Sequence, residues 1–75
     1  MENRIRVIRA EKKITQDALA KRSGLSRSAL NMIENGKVVP DGKTIAKLVR
    51  ALGVPANHIF FDLDVVSKQH LEGGE

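Results

Sequence analysis

The chain of 75 residues contains no cysteine, no tryptophan and no tyrosine, and its aromatic residues are Phe60 and Phe61. Without cysteine there is neither a disulfide framework nor a thiolate metal site to reinforce a small core. Without more aromatic faces there is no platform on which the bases of single-stranded nucleic acid or RNA could stack. Long apolar stretches are missing as well: uninterrupted runs reach two or three residues, as in Ile59-Phe60-Phe61. A transmembrane helix needs about 20 such residues, and neither a signal peptide nor a lipidation motif is visible, so the expected location is cytoplasmic.

Catalytic patterns are absent too. His58 and His70 stand apart, with no cysteine and no repeated carboxylate spacing around them. No HExxH, no glycine-rich phosphate loop in a strand–loop–helix context and no Ser/His/Asp constellation occurs. Neither an enzyme nor a metal or cofactor site is expected, with His58 read as a surface residue and His70 as part of a polar tail.

Basic charge is what the chain has in surplus, and it is unevenly placed. Residues 1–50 hold twelve Lys/Arg against five Asp/Glu, a balance of +7, and residues 51–75 hold one against four, a balance of −3, which gives the net +4. A basic body with an acidic tail suits a polyanionic partner such as DNA. Surplus lysines on a soluble surface are the plainer explanation of charge alone.

The apolar pattern predicts an all-α body, since no paired strands with a hairpin turn occur in residues 1–60. A first helix is expected from Asn3 to about Lys13, with Ile5 and Ile8 inward. Thr15 reads as the N-cap of a second helix, QDALAKRS, with Leu19 and Ala20 inward. Gly24 breaks the chain, Ser26 caps a third helix, and Gly36 stands where a left-handed stop belongs. Leu30 and Ile33 form the inner face of that third helix; Arg27, Ser28, Asn31 and Asn35 point outward, with Met32 at the boundary. Pro40 ends a loop and Asp41 can cap a fourth helix, from about Gly42 to Leu52, along which Ile45, Leu48, Val49 and Leu52 make one stripe. A short fifth helix over ANHIFF buries Ile59 and Phe60. Residues 62–75 are expected to be an extended arm or strand followed by disorder.

Gln16, Leu19-Ala20, Gly24-Leu25-Ser26, Leu30 and Ile33-Glu34-Asn35-Gly36 fall in order across the second and third helices. With TQDALA, GLSRSAL, IENGK and ALGVPANHIF, these motifs resemble the helix-turn-helix of the Cro/cI (XRE) family of bacterial and phage DNA-binding domains. The resemblance covers about residues 3–61 and implies a compact five-helix, lambda-repressor-like domain in residues 1–61, with its helix-turn-helix at 15–36 and a tail at 62–75. It further implies that the third helix enters the DNA major groove. By position, Arg27, Ser28 and Met32 match base-reading residues, and Asn31 is their neighbour. Gln16 matches a phosphate-binding glutamine, Asn35 and Lys37 match backbone-contacting positions, and Arg9 and Glu34 match an architectural ion pair. Gly42 stands where the family often has a core aliphatic, which predicts a loose or late start of the fourth helix. Met32 replaces what is often a polar reader.

The residue chemistry fits these roles to different degrees. The Arg27 guanidinium can grip guanine O6 and N7 together, or clamp a phosphate. Asn31 can pair with adenine or stay solvated, Ser28 can bond base or phosphate, and Met32 can pack on a thymine methyl or cover the core edge. Arg6 and Lys43 are further phosphate candidates.

The resulting expectation is a sequence-specific regulator of bacterial or phage origin, associated with the nucleoid. It binds double-stranded DNA as a homodimer on a palindrome and more simply represses, by occupying a promoter, than activates through RNA polymerase. A toxin partner or a restriction–modification operon stays open. Val38, Val39, Phe61, Leu63, Val65 and Val66 are apolar residues not needed for the predicted core and are expected to form the dimer interface. The alternative is a protein-interaction module on the same fold, antitoxin-like or adaptor-like.

Overall fold

The computed structural model describes residues 1–61, in which five helices follow one another: α1 (Ile5–Lys12), α2 (Gln16–Ser23), α3 (Arg27–Glu34), α4 (Gly42–Leu52) and α5 (Ala56–Ile59). The body is all-α, as its sequence predicts. One antiparallel bridge, between Asn3 and Phe60, is the β pairing among the described residues.

The starts of α2, α3 and α4 follow directly from residue type. Thr15 Oγ1 accepts from the Ala18 amide at 3.1 Å, Ser26 Oγ from Ala29 at 3.0 Å and Asp41 Oδ1 from Thr44 at 2.8 Å. Each satisfies one of the amides that a helix start leaves without an internal partner. The bond from the Thr44 amide holds the Asp41 carboxyl below its ordinary value of 3.8. With that cap in place α4 begins at Gly42 itself, neither late nor loose.

The ends follow a common pattern. After α2, Gly24 (φ +76) and Leu25 donate back to the carbonyls of Lys21 and Ala20, and after α3, Gly36 (φ +72) and Lys37 donate to Ile33 and Met32. In both places a left-handed residue lets two orphan carbonyls be satisfied at once. The α1 end makes the same turn with Lys13 at φ 57, a conformation that side chains rarely adopt and that its sequence does not announce.

The first helix is shorter than predicted. It begins at Ile5, because Asn3 is drawn into the bridge with Phe60, and the adjoining Arg4 amide donates to the Ile59 carbonyl at 2.8 Å. The Asn3 side chain accepts from the Ile5 amide at 3.1 Å and donates to the Ile33 carbonyl at 2.8 Å, so it serves the start of α1 and the end of α3 together. The fifth helix also stops early, at Ile59, and Phe60 continues in extended backbone.

The core draws two residues from each part of the chain: Ile5 and Ile8, Leu19 and Ala20, Leu30 and Ile33, Leu48 and Leu52, Ile59 and Phe60. Each fully buried large side chain contributes roughly 1.5–3 kcal/mol, which is what keeps helices this short from melting. The small Ala20 is buried on α2, the helix that packs against both α3 and α4. Leu25, Ile45 and Val49 are half-buried at the margin of this core. Val38 belongs there too, which corrects its reading as apolar surface spare to the core. Leu63, Val65, Val66, His70 and the expected arm at 62–75 lie outside the described residues.

Gly24 and Gly36 share a left-handed backbone but not their surroundings. A Cβ at Gly24 meets open space, whereas one at Gly36 lies 3.3 Å from the Met1 carbonyl oxygen. Gly24→Ala is expected to cost about 1–2 kcal/mol from backbone conformation alone, and Gly36→Ala more, because residue 1 must also shift. Urea melts of the two variants measure the difference; equal losses would show that the N-terminal segment yields freely.

Candidate nucleic-acid interface

The α2–α3 unit is tied together behind its exposed face by one carboxylate. Glu34, the last residue of α3, has a side chain 0% exposed. Arg9 of α1 reaches it with two nitrogens, Nε to Oε2 at 2.9 Å and Nη2 to Oε1 at 3.1 Å. Arg6 Nε lies 3.3 Å from Oε1, and Gln16 Nε2 donates to the same oxygen at 3.2 Å. Arg9 Nη1 also donates to the Ile14 carbonyl at 3.2 Å. Among the described residues no buried side-chain nitrogen or oxygen is left without a partner.

Outside this hub, Gln16, Arg27, Ser28 and Asn31 line one shallow, open, polar depression. Arg27 and Ser28 open α3 just beyond the Ser26 cap, and Asn31 follows one turn later. The first turn of α3 holds no acid. A cation there opposes the helix dipole, so the arrangement favours an external anion rather than the isolated helix.

Three of the expected phosphate contacts, Gln16, Arg6 and Asn35, have partners inside the protein. The Gln16 amide donates to Glu34 and, at 3.3 Å, to the side-chain oxygen of Asn31. Arg6 divides its guanidinium between Glu34 and the Asn35 side-chain oxygen. Lys37 follows the α3 stop, and Lys43 lies in the first turn of α4; both are exposed. Met32 is separate from the polar depression. It lines an apolar cleft with Leu25, Ala29, Val38, Val39 and Pro40, where Val39 is 70% exposed. Phe61 is half-exposed beside Met1, Asn3 and Gly36, so it and Val39 line different clefts.

Sequence reasoning did not single out Asp17. Its carboxylate lies 3.6 Å from Lys21 Nζ and 4.0 Å from Arg27 Nε, which puts an acid from α2 at the edge of the α3 face. The i, i+4 spacing to Lys21 was legible; the approach to Arg27 depends on how the two helices cross. No group of three or more potential metal ligands occurs among the described residues, and none of their helices is long and apolar enough to cross a membrane.

Comparison with known proteins agrees with this architecture. A family model described as helix-turn-helix matches residues 5–59. The HTH-type transcriptional repressor RghR of Bacillus subtilis is 37% identical over 67 residues, 88% of this chain and 50% of that protein. The immunity repressor protein of Bacillus phage phi105 is 35% identical over 69 residues, 92% of this chain and 48% of that protein. This chain therefore spans about half the length of these two relatives, whose names are those of regulators rather than enzymes. Among solved structures, the restriction-modification controller protein C.AhdI from Aeromonas hydrophila superposes with a TM-score of 0.71 at 35% identity, covering 76% of this chain and 86% of that one.

The two arginines at Glu34 are expected to differ sharply in weight. Arg9 is 17% exposed and Arg6 57%. Arg9→Ala removes the paired nitrogens from a buried carboxylate and should destabilise by about 3–5 kcal/mol, while Arg6→Ala should cost about 1 kcal/mol or less. Chemical denaturation of both variants reads the contrast; comparable losses would show that the hub is shared evenly.

Proposed function

We propose, from the premise that this chain belongs to the helix-turn-helix family, that it regulates transcription by binding duplex DNA sequence-specifically, with α3 in the major groove. The observation that carries the reading is the α3 face itself: Arg27, Ser28 and Asn31 stand exposed together, while the one acid of the helix is turned wholly inward. In the groove, Arg27 reads guanine through O6 and N7, Ser28 bonds a base or phosphate, and Met32 packs against a thymine methyl. Because the Gln16 amide is engaged inside, the phosphate at this point is held by the free backbone N–H groups and dipole of the α2 start. Lys37, Lys43 and the free nitrogens of Arg6 and Asn35 add contacts to the DNA backbone.

One recognition helix spans only a few base pairs. Two on a twofold axis address half-sites about 34 Å apart, which makes a homodimer on a palindromic operator the economical arrangement. Residues 1–61 form the DNA-binding unit in this reading, and 62–75 a dimerisation arm, in the cytoplasm. The names of RghR and the phage protein support repression, and that of C.AhdI, a restriction-modification controller protein, supports a regulatory role.

Selection from a random duplex library, repeated at several salt concentrations, tests the reading. Enrichment of a palindrome with half-sites one turn apart is expected, with affinity falling steeply with salt as counterions are released. Met32→Gln should change the selected sequence more than the overall affinity. Recovery of no preferred sequence would instead favour a protein partner for α3.

The dimer has its own test. Phe61 is exposed and borders the proposed arm, so Phe61→Asp should sediment as a monomer in analytical ultracentrifugation. A variant that remains dimeric would move the interface elsewhere.

A further inference from the structure

An acid stands beside the exposed cations of the α2–α3 face. Asp17, in the first turn of α2, lies 4.0 Å from Arg27 Nε and 3.6 Å from Lys21 Nζ, and all three side chains are more than half exposed. Its carboxylate is thus turned towards Lys21, one turn further along α2, and across to Arg27. The approach to Arg27 is made at Nε, the guanidinium nitrogen nearest the backbone, which leaves the outer pair, Nη1 and Nη2, at the free end of the side chain. At the start of α3 a cation opposes the helix dipole, a placement that draws an anion, and no acid of α3 itself answers it there. The acid that does comes from α2. An exposed pair of this kind holds Arg27 only loosely; its weight lies in what else can approach. A phosphate carried to Arg27 brings a full negative charge to the neighbourhood of the Asp17 carboxylate, within the screening length of about 8 Å at physiological salt. A guanine edge offers the same guanidinium two acceptors, O6 and N7, without a net charge.

We propose that Asp17 is a specificity-determining residue acting through Arg27: its charge penalises the phosphate contact that would serve any sequence and so confines the guanidinium to guanine. On a half-site that lacks the guanine, Arg27 can turn to a nearby phosphate and recover part of the lost affinity. The neighbouring carboxylate makes that recourse unfavourable, so the wrong site loses more than the right one. Lys21 shares the acid but is 80% exposed and leaves part of its charge to act on Arg27. Asp17 is a positioning residue in this account; it touches no base, and it lowers affinity for all duplexes while widening the difference between them. The inference rests on the proposed reading of guanine by Arg27 in the major groove and adds to it the residue that keeps that contact selective.

The test begins with library selection on the full chain, which supplies a preferred duplex, and on Arg27→Ala, which marks the guanine read by Arg27 as the position it levels. That duplex and one with the guanine replaced are then titrated with the parent, Asp17→Asn and Asp17→Glu, once thermal melts show all three folded. Asp17→Asn should bind the replaced duplex about two- to fivefold more tightly than the parent does, gain less on the preferred duplex, and so narrow the ratio between the two. Its salt slope on the replaced duplex should steepen by about 0.9, the mark of one more neutralised phosphate. Asp17→Glu keeps the charge and should keep the parent's ratio. An equal gain on both duplexes overturns the proposal, since Asp17 would then repel DNA without regard to sequence. So does a ratio that narrows equally in Asp17→Glu, which would trace the effect to side-chain shape, or an Asp17→Asn variant that binds as the parent does. If Arg27→Ala levels no position while others stay selective, this inference falls and the DNA reading stands; a parent that enriches no sequence at all defeats both.

Discussion

A carboxylate with no solvent contact is the constraint around which the first three helices are arranged. Removing Glu34 from water costs several kcal/mol unless hydrogen-bond donors replace the water. The replacements come from Arg6 and Arg9 on α1 and from Gln16 at the start of α2, while the acceptor itself ends α3. Aliphatic packing such as that among the buried core residues Leu19, Leu30 and Leu48 tolerates small slides; a carboxylate that must meet several directed donors does not. The hydrophobic core therefore holds the helices together, and the Glu34 hub fixes their mutual angle, which decides how α3 faces outward.

The second constraint is the phase of α3, fixed at both ends by local chemistry. A helix of eight residues is marginal in isolation, and small shifts of its start or stop would rotate Arg27 and Asn31 off the exposed face. The Ser26 hydroxyl anchors one end, and the left-handed turn at Gly36, backed by the Asn3 side chain on the Ile33 carbonyl, closes the other. Because Asn3 also pairs through its backbone with Phe60, the end of α3 is tied to the two extremes of the described chain at once. A short helix is thus held by its surroundings rather than by its own propensity.

What the sequence makes legible follows from how far each interaction reaches. The caps at Thr15, Ser26 and Asp41, the stops at Gly24 and Gly36, and the stripe of α4 are written within a few neighbouring residues, and residue type suffices to place them. The Glu34 pairing with Arg9 has no local signature at a separation of 25 residues and was accessible only through likeness to a family. The inward turn of the Gln16 amide, the dual use of Asn3 and the approach of Asp17 to Arg27 were not accessible, since each depends on the crossing of two elements. Lys13 shows a further limit: its left-handed stop is taken by a residue with no preference for it, so residue type does not announce it.

The same hub divides the polar residues of α2 and α3 into two sets with different freedom to change. Every hydrogen given to Glu34 is withheld from an external anion, so Arg9 and Gln16 serve the interior even where Gln16 borders the outer face. Arg27, Ser28, Lys37 and Lys43 give nothing to the hub, and their charges and hydroxyl remain available to a polyanion. On the proposed reading, each phosphate neutralised by that free set adds about 0.9 to the salt slope of binding, while the bound set adds nothing to it directly. Sequence preference can then be altered at Arg27, Ser28 or Met32 without disturbing what holds the helices at their angle.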